Sequence, residues 1–85
     1  MGRVTRRRTL VEVPDEYAGL LLVERLRRLA PDARVEGVHG ELWLTFDVEL
    51  PELPRALQLV QLWLQDIHVR AARIRVGDRE CSVEG

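Results

Sequence analysis

From Leu50 to His68 the chain reads LPELPRALQLVQLWLQDIH, and no other stretch constrains the fold as much. At about 100° per residue, Leu53, Ala56, Leu57, Val60, Trp63, Leu64 and Ile67 fall within one arc of roughly 120°, with Gln58, Gln61 and Gln65 opposite. That spacing predicts an amphipathic helix laid on a core. Pro51 and Pro54 suit its entry turn and first turn, where a missing N–H costs nothing. Leu59 and Leu62 fall off the stripe, Leu62 in the polar sector, and mark a candidate contact surface.

The rest of the chain supplies strands and a second helix. Thr9 to Val13 alternates as a first strand, with Thr9, Val11 and Val13 on one face and Arg8, Leu10 and Glu12 on the other. Asp15 is the N-cap of a helix expected to run to about Ala30, before Pro31. Ala18, Leu22, Leu26 and Leu29 form its core stripe, while Tyr17, Leu20 and Leu21 lie off it. Ala33 to Val38 and Glu41 to Val48 make a hairpin turned by His39-Gly40. Leu42, Leu44, Phe46 and Val48 point to the core, and Trp43, Thr45 and Asp47 point away. After the central helix, Ala72, Ile74 and Val76 alternate with Arg73 and Arg75. A Gly77-Asp78 turn, of type II′, then leads to a short strand with Cys81 and Val83.

The order β-α-β-β-α-β with an added C-terminal β predicts one α+β domain over residues 1–85. Its plan is ferredoxin-like, an antiparallel sheet with both helices on one face, strand order 4-1-3-2 and the added strand beside the fourth. Residues 1–8, rich in arginine, form a basic N-terminal arm ahead of it.

Composition narrows the function. The 85 residues are enough to fold alone with a small margin. Thirteen basic residues against fourteen acidic ones leave a net charge of −1, so the whole chain has no electrostatic claim on nucleic acid or anionic lipid. All the basic residues are Arg and none of the chain is Lys or Asn, which points to a GC-rich, bacterial genome. The single Cys81 excludes an intrachain disulfide and fits a reducing cytoplasm. No run reaches the length of a membrane span.

Catalytic material is sparse. His39 sits in a hairpin tip and His68 at a helix end, neither at ligand spacing from a Cys or carboxylate, and no glycine-rich phosphate loop exists. Cys81 reads as a small buried apolar residue. Glu49 and Glu52 flank a proline turn at a helix start. The expectation is a protein that is not an enzyme and holds no metal or cofactor.

Two resemblances are local. The helix-free sheet face gathers Arg8, Leu10 and Glu12 from strand one, Trp43 and Thr45 from strand three, and Arg73 and Arg75 from strand four. An aromatic flanked by Arg in this way resembles the base-stacking face of an RNA-recognition motif. Strand three, ELWLTFDV, lacks that family's glycine-aromatic pattern, and strand one offers Leu10 in place of an aromatic. VPDEYAGLLL, from Val13 to Leu22, resembles the first loop and helix of ACT domains over about ten residues. That resemblance implies dimerisation and an amino-acid ligand at the dimer interface.

The leading expectation is a non-catalytic interaction or regulatory module. Leu59, Leu62, Tyr17, Leu20, Leu21, Leu10 and Trp43 are its contact residues, and a homodimer or larger protein complex is their outlet. The alternatives are nucleic-acid binding through Arg6, Arg7, Arg8, Trp43, Arg73 and Arg75, and small-ligand binding at a dimer interface.

Overall fold

The computed structural model describes residues 5–85. Its elements are β1 (Arg6–Glu12), α1 (Glu16–Leu26), β2 (Arg34–Val38), β3 (Glu41–Glu49), a 3-10 turn (Leu50–Glu52), α2 (Leu53–Asp66), β4 (Ala71–Val76) and β5 (Arg79–Glu84). The five strands form one open antiparallel sheet in the order β2-β3-β1-β4-β5.

Register fixes which residues share a face. Val11 lies opposite Leu44 and Ile74, and Thr9 opposite Phe46. These side chains are buried, and Val11, Leu44, Phe46 and Ile74 join Leu22, Leu26, Ala56, Val60, Trp63 and Leu64 from the helices in one apolar cluster. Both helices therefore cover the same side of the sheet. The stripe read on α2 is the stripe that is buried, with Leu53, Leu57 and Ile67 packed at its margin.

Local chemistry explains the element ends. Asp15 is extended, and its Oδ1 accepts from the Ala18 N–H at 2.8 Å, closing the start of α1. That helix stops at Leu26, short of Ala30, because the backbone tightens: the Arg27 N–H bonds to the Glu24 carbonyl and the Leu29 N–H to that of Leu26, both i to i−3. Ala30 is still buried, so the chain turns inward before Pro31. The expected arm is corrected as well. Arg6, Arg7 and Arg8 belong to β1, paired with Glu49, Val48 and Asp47 of β3, while Arg3 lies outside the described residues.

Two histidines occupy left-handed backbone. His39 and Gly40, with φ of 51° and 79°, turn the β2–β3 hairpin, and positive φ at both positions is what a type I′ turn needs. His68, with φ of 58°, ends α2. The Val69 N–H bonds to the Leu64 carbonyl at 3.0 Å and the His68 N–H to that of Gln65 at 3.3 Å, the two bonds of a Schellman cap. That position favours glycine. His68→Gly should therefore stabilise the domain by about 0.5–1 kcal/mol, raising the melting temperature by a few degrees. Thermal unfolding of the two proteins at one concentration checks it.

Candidate interaction surfaces

The helix-free face of the sheet is built by the alternate residues of each strand. The pairing places Arg6, Arg8, Arg34, Arg73 and Arg75 there, together with Glu12, Glu36, Glu41, Asp47, Glu49, Glu80 and Glu84. Among the described residues five cations face seven anions, so this face is net acidic. The charges are also laced across strands. Arg8 Nε is 3.2 Å from Asp47, Arg6 is 3.8 Å from Glu49 and Arg75 is 3.7 Å from Glu80. Exposed pairs such as these are worth little to stability, but they leave few free cations for phosphate.

Trp43 lies on this face and Leu44 in the core, as the alternation of β3 requires. Its ring is nevertheless covered, with only 7% of the residue exposed. The Arg73 guanidinium lies 5.3 Å from the ring centroid. Arg73 is held there by two bonds to Glu12 Oε2, at 3.2 and 2.8 Å, and by a further bond to Glu41. The expected open platform is thus an arginine-capped aromatic at the edge of a shallow cavity of about 140 Å³. Leu10 is half-buried beside it. Trp43 and Leu10 therefore offer little apolar surface for a partner.

The same bonds shift a titration. The Arg73 hydrogen bond, aided by its charge, holds the Glu12 carboxyl below the ordinary glutamate pKa against the opposing effect of burial. A lowered folded pKa stabilises the fold above the ordinary glutamate pKa, and that contribution is lost as pH falls through the lowered folded value. Glu12→Gln should accordingly destabilise the protein at neutral pH, and the difference from the unaltered chain should vanish in acid. Urea unfolding at neutral pH and below the glutamate range measures both limbs.

The outer surface of the helices differs from the sheet face. Trp63 Nε1 donates to the Ala18 carbonyl at 2.8 Å, and Arg25 pairs with Asp66. These contacts identify the flank of α1 with Ala18 and Arg25, and the flank of α2 with Trp63 and Asp66, as the sides that meet. At about 100° per residue, Tyr17 and Leu21 lie just outside that flank of α1, and Leu62 just outside that of α2. They line the outer mouth of the inter-helix seam. Tyr17 is 72% exposed, Leu20 51% and Leu62 46%, whereas Leu21 and Leu59 are half-buried against the core. Leu59, read as off the stripe, is thus largely absorbed by helix packing. Sequence reasoning missed one exposed leucine, Leu50 at 40%, in the 3-10 turn.

The remaining candidate chemistry stays dispersed. His39 and His68 are exposed turn residues. Cys81, expected to be buried, is exposed on β5, an edge strand of the sheet. The two larger clefts, of about 370 and 420 Å³, are lined without any His, Cys or Ser. Among the described residues no group of three or more His, Cys, Asp and Glu is placed to hold a metal ion, and no helix is long and apolar enough to cross a membrane. No family model, curated protein or solved structure matches the chain.

Proposed function

We propose that this chain is a non-catalytic protein-interaction module, on the ferredoxin-like plan with an added edge strand, that self-associates through the outer mouth of its inter-helix seam. The observation that carries this reading is the exposure of Tyr17, Leu20 and Leu62 on the helical layer. The sheet face spends its one aromatic beneath Arg73. A large apolar side chain in water gains roughly 1.5–3 kcal/mol when it is buried, and Tyr17 and Leu62 at one seam, with Leu20 exposed elsewhere on α1, give a second protein something to cover. A second copy is the simplest occupant, since two-fold symmetry lets one patch complete itself. The solitary thiol accords with a cytoplasmic setting.

Leu62→Arg tests the reading. Each dimer would carry the change twice, so self-association should weaken by about 100-fold or more. Unfolding of the monomer should move by no more than about 0.5 kcal/mol, because the side chain is already half in water. Sedimentation equilibrium of the two proteins reads the first effect and urea unfolding the second. Equal association constants would overturn the assignment of this surface.

A further inference from the structure

A second surface carries an inference that does not depend on the seam. We propose that the free edge of β5 pairs antiparallel with β5 of a second copy, with Cys81 opposite Cys81 across the two-fold axis.

The edge is open. β5 is the last strand of the sheet, and nothing among the described residues pairs with its outer side. Both its ends are fixed, by the two-residue turn from Val76 to Arg79 and by the Gly85 N–H, which bonds to the Arg70 carbonyl at 3.0 Å. That last bond sets the alternation. Arg79, Cys81 and Val83 bond inward to β4, so Glu80, Ser82 and Glu84 direct their N–H and C=O groups outward. No proline, lysine or glycine interrupts these six residues. The opposite edge, β2, is one residue shorter and contains Gly37.

Charge and strand overlap together select the register. A two-fold axis normal to the sheet keeps helix-side residues opposite helix-side residues, so only residues of equal parity may pair. Centring on Glu80 opposes it to itself, and centring on Ser82 opposes Glu80 to Glu84 twice. Centring on Val83 pairs only Ser82 to Glu84 within the strand. Centring on Cys81 pairs five of its six residues, with Glu80 opposite Ser82 and Arg79 opposite Val83, and leaves one like-charge approach, Glu84 to Asp78 of the turn. The four outward groups of Glu80 and Ser82 on each chain are then satisfied by the partner. The cysteines form a pair that is not hydrogen-bonded, with Cα atoms about 4.5 Å apart. Cys81 is exposed and available. The flank of α2 turned away from α1 and towards β5 carries Gln58, Gln61 and Gln65, and the Gln65 backbone N approaches Gly85. Uncharged flanks let two copies approach side by side.

The register is read by thiol cross-linking with oxidised glutathione, in which two cysteine thiols and one glutathione disulfide give one protein disulfide and two reduced glutathiones. The unaltered protein should form the Cys81–Cys81 dimer at least 10-fold faster than a Cys81→Ser, Arg79→Cys variant, whose exposed thiol lies off the axis. Ser82→Glu, which sets a carboxylate opposite Glu80 of the second copy, should slow the cross-link about 10-fold and leave the fold intact. Leu62→Arg should not slow it, which separates this edge from the seam. Equal rates at positions 79 and 81, or no effect of Ser82→Glu, would overturn the proposal.

Discussion

Trp63→Ala is expected to remove a large part of the stability of this domain. The indole is fully buried and is the largest side chain in the core. Truncating such a residue costs about 3–5 kcal/mol, and an 85-residue domain has only roughly 4–13 kcal/mol in total. The loss has two parts. One is the cavity left beneath α2, and the other is the Trp63 Nε1 donor to the Ala18 carbonyl, which ties the end of α2 to the start of α1. Trp63→Phe keeps most of the apolar volume and removes only the donor. It should cost about 1–2 kcal/mol, within the range of a lost buried hydrogen bond plus a small cavity. Urea unfolding followed by far-ultraviolet circular dichroism, at one protein concentration, gives both numbers. Equal costs for the two variants would mean that the hydrogen bond, and not the filling of the core, is what Trp63 contributes.

Gly19→Leu should be the next most damaging change. A Cβ at Gly19 would stand 2.7 Å from Val35 Cγ2 and 3.3 Å from Val13 Cγ2, so α1 lies on β2 with no room for a side chain. Leucine is the better helix former by about 1 kcal/mol, yet overpacking costs about 1–3 kcal/mol and occasionally more. The close approach should win, with a net destabilisation of about 1–2 kcal/mol. Val35→Ala in the same chain should return part of it, because it removes the atom that a Cβ would strike. The double-mutant cycle would show a coupling of about 0.5 kcal/mol or more. Strict additivity would place the cost elsewhere.

What the sequence disclosed, and what it withheld, follows from the range of each signal. The buried stripe of α2 and the alternation of β3 are local periodicities, so Val60, Trp63, Leu44 and Phe46 were legible as core from spacing alone. The covering of Trp43 was not. Arg73 stands on β4, two strands from β3, and is held over the ring by Glu12 of the intervening β1 together with Glu41 of β3. Cys81 shows the limit of alternation: a pattern of two states which face a side chain takes, not whether anything lies above it. The end of α1 was misplaced because Leu26 and Leu29 continue the helical spacing after the hydrogen bonding has tightened to i to i−3.

The candidate surfaces divide in the same way. Tyr17, Leu20 and Leu62 could be recognised as off-stripe apolar residues. That Tyr17 and Leu62 meet at one seam follows only from the contacts of Trp63 with Ala18 and of Arg25 with Asp66. Leu21 and Leu59 share the off-stripe spacing, but both are half-buried against the core. The arginines of the sheet face looked like a cationic patch because a strand lists its own charges and not its neighbours'. Register turns them into cross-strand ion pairs on a net acidic surface.

Self-association is the central claim, and sedimentation equilibrium from low to high micromolar concentration tests it most directly. The account predicts an average mass that climbs from one chain towards two or more as concentration rises, with Leu62→Arg holding it down. A mass fixed at one chain across the whole range would contradict it.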